Sequence, residues 1–324
     1  MRTYRLPHTD LDVTCLAYGC MKLGGNWNET PLTAADRKQA AALVAAALEV
    51  GINFFDHADI YCRTKSEEVF GGVLAQLPGV RDKIVLQSKV GIRFRGAPQP
   101  TDPGRYDFSY EHIKATVEGS LRRLQTDRLD ILLLHRPDAL VEPAEVARAF
   151  DELHASGKVR FFGVSNHSVA QIRLLQKYVR QPLVANQLEL NLLRNELIEH
   201  GVLVNQLAAT YTGADGLLDF CREQDIAIQA WAPVANGQLI DPPSTAPVRA
   251  HRAAARVAEL ATAHNTTKEA IALGWLLRHP AGIQPIVGTY DVERIKASAP
   301  AAEVTLSREE WYSLLEAARG AGVP

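Results

Sequence analysis

Eight short apolar runs recur along the chain, and each is followed by a stretch of helical character. The runs are continuously apolar rather than alternating, which is typical of strands that are buried on both faces. Parallel sheets that are covered by helices bury their strands in this way. The predicted strands are Cys15–Tyr18, Phe54–Asp56, Ile84–Lys89, Ile131–His135, Phe161–Ser165, Val184–Gln187, Ala227–Trp231 and Gln284–Val287.

Helix-start signals lie between these runs. Thr33…Asp36, Thr266…Glu269 and Ser307…Glu310 match a capping box or a variant of it, in which two side chains satisfy free amides at a helix N-terminus. Eight strand–helix units predict an α/β fold, a (β/α)₈ TIM barrel. We expect a short N-terminal hairpin within Tyr4–Val13 and extra helices toward the C-terminus. Because no linker interrupts the pattern, residues 1–324 are expected to form a single domain.

The composition excludes several classes of protein. With a formal net charge of −2, 47% hydrophobic and 22% charged residues, the chain resembles an ordinary globular protein rather than a disordered chain or a basic nucleic-acid binder. No apolar run approaches the roughly 18 residues of a membrane helix, and the N-terminus lacks a signal-peptide core. Four cysteines without C-x-x-C spacing fit a reducing compartment. We therefore expect a cytoplasmic protein without a nucleic-acid, membrane or obligate protein partner.

Ionisable side chains end three neighbouring predicted strands. Asp56, Lys89 and His135 occupy these positions, and Tyr61 follows Asp56 by one short loop. The carboxyl ends of barrel strands form the face where barrel active sites are built. An ammonium near the phenol would lower its pKa, the carboxylate would hold the lysine charged, and a neutral histidine would orient a carbonyl. Such a set would protonate a carbonyl oxygen as a hydride arrives, which requires a nicotinamide cofactor.

Each of these residues also has a structural interpretation when it is taken alone. Asp56 with Lys89 is compatible with a structural ion pair, and His135 with a hydrogen-bonded structural histidine. No G-x-G-x-x-G motif follows a predicted strand, so a Rossmann site is not indicated. His57 and Asp59 lack a third ligand at suitable spacing, so no metal is expected.

Three long connections follow predicted strands at this same face. They are Arg93–Ser109, Glu189–Asp215 and Ala232–Val248. Long loops in compact domains are usually functional or disordered, and we expect these to form a substrate-pocket rim and a cofactor clasp. Trp27 and Phe94 lie on rim loops and are candidates for an apolar substrate pocket, although ordinary surface packing explains them equally well.

Several segments together resemble the aldo-keto reductase superfamily. FDHADIY, QSKVG, LDILLLHRPD, GKVRFFGVSNH and NQLELN match its motifs in order and spacing, as do AWAPVANGQL and PIVGTYDVERI. The resemblance covers nearly the whole chain. It is closest to the YdhF-like bacterial oxidoreductase branch, because of HADIY, HRPD and the tryptophan of AWAP.

The resemblance implies a role for each matching residue. Tyr61 would be the general acid/base, supported by Lys89 and Asp56, and His135 would orient the carbonyl. Ser165, Asn166 and Gln187 would bind the nicotinamide carboxamide, and Trp231 would stack on its ring. A strap over the pyrophosphate would be formed by Ala232, Pro233, Val234, Gly237 and Leu239. The adenosine end would be held by Gly288, Thr289 and Arg294. Further cofactor contacts would come from Gly19, Met21 and Asp56.

The chain departs from the family pattern at the adenosine end. Ala297 and Ser298 stand where a glutamate and an asparagine are common, and no lysine precedes Arg294 in the matching segment. The resemblance implies NADPH as the cofactor, and these departures leave NADH possible. The predicted function is NADP(H)-dependent reduction of aldehyde or ketone carbonyls. Two alternatives remain open: an NAD-dependent sugar (aldose) dehydrogenase, and a nucleotide-binding regulatory subunit without significant turnover.

Overall fold

The computed structural model describes residues 1–203 and 216–324. The predicted loop Glu189–Asp215 therefore lies partly outside the described residues, at 204–215. Within the described ranges no helix is both long and apolar enough to cross a membrane.

Eight parallel strands close into a barrel, and each strand pairs with the strands that precede and follow it in the barrel. The fold prediction of a (β/α)₈ barrel is confirmed. The barrel strands are Ala17–Gly19 (β3), Phe54–Asp56 (β4), Val85–Val90 (β5), Leu129–Leu134 (β8), Val159–Ser165 (β9), Leu183–Glu189 (β10), Ala227–Trp231 (β11) and Gln284–Val287 (β12).

Helices surround this barrel and bury an apolar face against it. In the described part of the chain they are Ala34–Glu49 (α1), Lys65–Leu74 (α2), Tyr110–Leu124 (α3), Pro143–Ala155 (α4), Val169–Gln176 (α5), Glu196–Val202 (α6), Leu217–Glu223 (α7), Val248–Ala263 (α8), Lys268–Leu277 (α9), Val292–Ser298 (α10) and Arg308–Arg319 (α11).

The predicted N-terminal hairpin is present as Thr3–Arg5 (β1) and Asp12–Thr14 (β2), which pair antiparallel. Its apolar side chains, Leu6, Leu11 and Val13, belong to the same buried cluster as the barrel residues Phe54, Val85, Ile131, Leu133, Val184, Ala185, Ala227 and Ile286. Since Phe54, Val184 and Ala227 lie at the starts of their strands, the hairpin closes the N-terminal end of the barrel.

A second hairpin lies inside the connection that was predicted as the irregular loop Arg93–Ser109. Ile92–Arg93 (β6) pairs antiparallel with Arg105–Tyr106 (β7). Gly91 leads into it with φ +108°, and a Cβ atom there would lie 2.2 Å from the Phe108 ring. The left-handed backbone and the close approach of this ring therefore both require glycine.

Several predicted boundaries differ from the structure, and three of them have a clear physical reason. The first barrel strand begins at Ala17 rather than Cys15, because the amide of Cys15 still bonds the hairpin carbonyl of Arg2. The predicted capping box at Thr266 is absent, since Thr267 is the N-cap and accepts from the Ala270 amide. The sequence pattern also predicts a helix over Lys65–Leu77, but this helix ends at Leu74, where turn hydrogen bonds replace the helical pattern. The capping boxes at Thr33 and Ser307 are confirmed.

Two adjacent glycines of α2 give a matched test of helix packing. A Cβ at Gly71 would lie 2.1 Å from the Arg123 carbonyl oxygen of α3, whereas a Cβ at Gly72 would meet nothing within 4 Å. We expect Gly71→Ala to destabilise the fold by about 1–3 kcal/mol through overpacking, and Gly72→Ala to stabilise it by up to about 1 kcal/mol. Urea unfolding of both variants measures this, and equal effects would contradict the close α2–α3 contact.

Candidate active site

Four side chains converge at the carboxyl ends of three neighbouring barrel strands. The ammonium of Lys89, on β5, donates to both Asp56 carboxylate oxygens, at 2.7 and 2.8 Å, and to the Tyr61 phenol oxygen at 2.9 Å. The His135 ring, just beyond β8, stands edge-on to the Tyr61 ring with centroids 5.9 Å apart. The structure thus brings together the four residues that the sequence singled out.

Strand register explains this convergence. Asp56 of β4 pairs with Gln87 of β5, and Lys89 pairs with Leu133 of β8. Because alternate residues of a strand face the same side, Gln87 and Lys89 both face the barrel interior. Ser88 between them faces outward and donates to a carboxylate of α2.

The loop after β4 brings Tyr61 back over the end of the barrel. The Tyr61 amide donates to the Ala58 carbonyl at 3.1 Å. The next three residues, Cys62, Arg63 and Thr64, all have positive φ, between 49 and 75°. Such a run of left-handed residues without glycine is costly, and it turns the chain sharply into α2. The phenol therefore sits on a short, rigid loop rather than on a long one.

Burial dominates the acidity of Tyr61. It raises the pKa of the phenol, while the Lys89 ammonium lowers it and the Asp56 carboxylate raises it, and the net value is about 12. The lowering effect expected from the lysine is present, but burial of the ring and the Asp56 carboxylate outweigh it. At neutral pH the side chain is therefore a phenol that carries its proton.

The two neighbouring bases are held in opposite protonation states. Burial lowers the pKa of Lys89, but Asp56 and Tyr61 outweigh it, so the pKa is raised overall and the lysine stays charged. Burial, Lys89 and Arg136 together hold the pKa of His135 well below its usual value, so this ring is neutral. Its Nδ1 atom is buried without a partner among the described residues.

The residues expected to hold a nicotinamide form one hydrogen-bonded line beside this set. Ser165 Oγ donates to the Gln187 carbonyl at 2.9 Å, and the Asn166 amide donates to Ser165 Oγ at 2.7 Å. The Trp231 indole donates to Asn166 Oδ1 at 3.3 Å. Gln187 Nε2 donates to Asp56 at 3.0 Å, so the line joins the set around Lys89. Trp231 remains partly exposed, as a stacking surface requires.

The segment that follows Trp231 is a tight turn rich in left-handed residues. Ala232, Ala235, Asn236 and Gly237 have φ of +49, +51, +54 and +91°. The amide of Ala235 donates to the Ala232 carbonyl, and those of Gly237 and Leu239 donate to the Val234 carbonyl. Pro233 and Leu239 of the same segment are buried and anchor it. The segment is therefore a tight, anchored turn that directly follows the indole of Trp231.

Two cavities flank this segment. One of about 540 Å³ is lined by Trp231, Asn166 and Arg136, and one of about 160 Å³ is lined by Ala235 and Asn236. A cavity of the first size accommodates a small organic group.

Arg294, which is expected at the adenosine end of the cofactor, lies next to the segment 232–239. A Cβ built at Gly237 would lie 3.8 Å from the Arg294 guanidinium, so these two residues adjoin. The guanidinium also bonds Glu269 at 3.3 Å. The Thr289 carbonyl accepts from the buried Tyr18 hydroxyl at 3.1 Å, and Gly288 is exposed.

Gly19 and Met21 occupy different surroundings after the first barrel strand. Gly19 pairs with Asp56 in register, and a Cβ there would lie 2.8 Å from the Ile286 side chain. Met21 has an exposed side chain, and its carbonyl accepts from the buried Cys62 thiol. Gly19 therefore lies beside the four-residue set, whereas the Met21 side chain faces solvent.

The two aromatic residues proposed for a substrate pocket both lie next to the phenol. Trp27 is 45% exposed, and its ring centroid is 6.3 Å from that of Tyr61. Phe94 packs against the small cluster that contains Ala58, Ile60 and Tyr61. Together they form an apolar edge on the solvent side of the phenol.

Sequence reasoning missed four polar residues of this region. Arg136 lies with its guanidinium 5.6 Å from the Trp231 ring centroid and lines the larger cavity. Gln87, Gln229 and Gln284 are buried inside the barrel. A glutamine inside a predicted strand that is otherwise continuously apolar was the signal available in the sequence, because such strands are buried on both faces.

Comparison with known proteins gives a family match over most of the chain. The Aldo/keto reductase family model matches residues 15–319. An uncharacterized oxidoreductase, YcsN, of Bacillus subtilis (strain 168) is 37% identical, with 97% of each chain covered. A 6-dehydroglucose reductase of Agrobacterium fabrum is 35% identical, with 96% of each chain covered. The oxidoreductase YdhF of Escherichia coli (strain K12) is 35% identical, with 89% of this chain and 90% of that chain covered.

A solved structure supports the same match. The aldo-keto reductase AKR11C1 from Bacillus halodurans, in its holo form, superimposes with a TM-score of 0.77 at 27% identity. The alignment covers 99% of this chain and 98% of that one. The resemblance inferred from the motifs, including its bacterial oxidoreductase branch, is confirmed.

The buried ion pair gives a stability test of the site. Lys89 and Asp56 side chains are 0% and 3% exposed, so Lys89→Met would leave a carboxylate buried without its cation. We expect a loss of about 3–5 kcal/mol in the free energy of unfolding. Asp56→Asn combined with Lys89→Met should recover part of that loss, since no unpaired charge remains. Urea unfolding of the two single variants and the double variant measures the coupling, and strictly additive losses would contradict it.

Proposed function

The chain belongs to the aldo/keto reductase family, and we propose that it reduces aldehyde or ketone carbonyls with NADPH, with Tyr61 as the general acid. The reaction is reversible in principle. The observation that carries the proposal is the single ammonium of Lys89, which bonds the Asp56 carboxylate and the Tyr61 phenol at once.

This contact gives the phenol a defined role. Tyr61 holds its proton at neutral pH, because its pKa is about 12. As negative charge develops on a substrate carbonyl oxygen, the phenol donates its proton, and the adjacent ammonium stabilises the phenolate that remains. The neutral His135 donates from Nε2 to the same oxygen and orients it. Asp56 keeps the ammonium in place throughout.

The cofactor would be held by residues of this chain in an extended arrangement. A bound reduced nicotinamide supplies the hydride. Ser165, Asn166 and Gln187 would bind its carboxamide, and Trp231 would stack on its ring. The segment 232–239 would bind the pyrophosphate, while Gly288, Thr289 and Arg294 would hold the adenosine end, and Gly19 and Met21 would flank the cofactor. Trp27 and Phe94 would contact the substrate.

A second candidate is an NAD-dependent aldose dehydrogenase, and one contact favours it. Arg294 would be the residue that meets the 2′-phosphate of NADPH, but its guanidinium is already bonded to Glu269, whose side chain is only 12% exposed. A carboxylate at this place disfavours a second anion. The relative named 6-dehydroglucose reductase is consistent with a sugar-derived carbonyl substrate. Comparing NAD⁺ and NADP⁺ as acceptors with a panel of aldoses separates the two candidates.

The remaining proposals concern the substrate class, the cellular location and the partners of the enzyme. We expect a small-molecule carbonyl or alcohol substrate, location in the cytoplasm, and no requirement for a metal, nucleic acid or protein partner. Tight NADPH binding without turnover over a broad carbonyl panel would instead favour the regulatory-subunit alternative.

Removal of the phenol hydroxyl tests the general acid. Tyr61→Phe should retain NADPH binding, followed by tryptophan quenching, but lose about 10²–10⁴-fold in kcat with an aromatic aldehyde, because no other group donates the proton. Tyr4→Phe is the matched control: that hydroxyl is buried at the opposite end of the barrel without a partner in the described chain, so its removal should leave kcat unchanged. Near-wild-type turnover by Tyr61→Phe would refute the mechanism.

Removal of the carboxylate beside Arg294 tests cofactor preference. Glu269→Gln keeps an acceptor for the guanidinium but removes the nearby negative charge, so NADPH should bind roughly fivefold tighter, by about 1 kcal/mol, while NADH binding is unchanged. Glu293→Gln on α10 is the control, since that side chain is 82% exposed and pairs only weakly with Lys296. An equal change for both cofactors would argue against Arg294 as the 2′-phosphate ligand.

A further inference from the structure

Four glutamines lie deeply buried inside the barrel, where apolar side chains usually fill the layers. They are Gln87 on β5, Gln187 on β10, Gln229 on β11 and Gln284 on β12, each with at most 3% of its surface exposed. Gln187 pairs with Gln229 in register, and Gln229 pairs with Gln284. The strands therefore stack these amides at one level of the barrel, directly beneath the proposed catalytic groups.

The upper part of this group contacts the carboxylate of Asp56. Gln87 Nε2 and Gln187 Nε2 donate to Asp56 Oδ1 at 2.6 and 3.0 Å. The same two nitrogens donate to Gln229 Oε1 at 2.9 and 3.1 Å. With Lys89, three donors converge on one carboxylate oxygen, and both amide nitrogens beside it have used both of their hydrogens.

The lower part connects this oxygen to the closed end of the barrel. Gln229 Nε2 donates to Gln284 Oε1 at 3.0 Å, and Gln284 Nε2 donates to the Thr14 carbonyl at 2.8 Å. Thr14 ends β2 of the hairpin and is itself bonded to Asn53. A continuous line of hydrogen bonds thus runs from the hairpin to the phenol of Tyr61.

Only one orientation of these amides satisfies both ends of the line. The Asp56 carboxylate and the Thr14 carbonyl accept hydrogen bonds and donate none. Gln87 and Gln187 must therefore turn their NH₂ groups toward Asp56 and toward Gln229. Gln229 must then accept with its oxygen and donate with its nitrogen.

An unpaired oxygen of Gln87 shows which end of the amide line determines its orientation. Gln87 Oε1 is buried and has no hydrogen-bond partner in the described part of the chain. Leaving a buried acceptor unpaired is costly, and native proteins rarely tolerate it. A flipped amide would face the carboxylate with its oxygen. The observed orientation leaves Gln87 Oε1 unpaired but keeps the Gln87 amide nitrogen as a donor to Asp56.

We propose that Gln87, Gln229 and Gln284 are positioning residues for carbonyl reduction, which fix Asp56 and, through Lys89, the phenol oxygen of Tyr61. This inference rests on the proposed function. It also constrains Gln187: both hydrogens of its Nε2 are used within the barrel, so only its side-chain oxygen is free to accept from a carboxamide.

Gln229 is the member to change, because it alone contacts three of the other amides and lies away from the reacting atoms. Gln229→Met keeps the side-chain length but removes the acceptor for Gln87 and Gln187. We expect kcat to fall about tenfold, because the two amides that hold Asp56 lose their shared acceptor, with KM for the carbonyl substrate nearly unchanged. A carboxylic acid buried at this position stays protonated. Gln229→Glu therefore keeps an oxygen acceptor for Gln87 and Gln187. It also keeps a hydroxyl donor toward Gln284, and it should retain most of kcat.

Gln284→Met extends the test to a variant further from the site. It removes only the partner that orients Gln229, so its kcat should fall less than that of Gln229→Met, although it also leaves buried polar groups unpaired. If Gln229→Met does not fold, the other variants still test the positioning role. We expect kcat to decrease from wild type to Gln229→Glu and again to Gln284→Met. Equal kcat for wild type and Gln284→Met would then overturn the proposal.

Ser88→Ala is the matched structural control. Ser88 lies between Gln87 and Lys89 on β5, is fully buried, and bonds Glu67 outside the barrel. It should lower the melting temperature without changing kcat. Any of three results would overturn the proposal. The first is a wild-type kcat in Gln229→Met, and the second is a loss of kcat in Ser88→Ala equal to that in Gln229→Met. The third is a higher kcat in Gln229→Met than in Gln229→Glu.

Failure of this inference is distinguishable from failure of the proposed function. If the wild-type enzyme reduces no carbonyl of the panel, the proposed function fails. A crystal structure of Gln229→Met then decides the positioning role alone. Retention of the Lys89 Nζ–Tyr61 Oη contact near 2.9 Å would overturn it, whereas separation of these atoms would support it.

Discussion

The site depends on one buried ammonium. Lys89 lies inside a barrel where an isolated charge would be very unfavourable, and it is held there by a carboxylate, a main-chain carbonyl and a phenol, all within 2.9 Å. Each of its three hydrogens has an acceptor, so the side chain has one position. Asp56, Tyr61 and the loop between them are fixed by the same contacts.

That arrangement sets the acidity of the phenol by competition. Burial raises the pKa of Tyr61, and the ammonium alone does not reverse this because the aspartate shares its charge. A phenol that keeps its proton is suited to giving it to a developing alkoxide. The neutral His135 complements it, since the same ammonium and the same burial keep the imidazole uncharged. One cation therefore influences the protonation of both groups that would face the substrate oxygen.

Much of this organisation was predictable, and the exceptions share a cause. Continuous apolar runs predicted all eight barrel strands, and the bounds of β4, β11 and β12 agree with the structure. The strand and loop errors occurred where a segment pairs with another part of the chain, outside the predicted run itself. The hairpin amide of Cys15 shortens the first strand, and the pairing of β6 with β7 orders a loop that has no strong local pattern. The buried glutamines were overlooked because a single polar residue in an apolar run has no partner visible in the sequence.

The sequence by itself determined the barrel, the family and the placement of Asp56, Lys89 and His135 at strand ends, because periodicity and position within a strand are local properties of the chain. Only the tertiary structure decided the net acidity of Tyr61 and the direction of every amide beneath Asp56. Those depend on burial and on donors from strands that lie across the barrel, such as Gln87 and Gln229, which are 142 residues apart. Electrostatic free energy depends on three-dimensional distance and on exclusion of water, and neither is encoded in the spacing of residues along a chain.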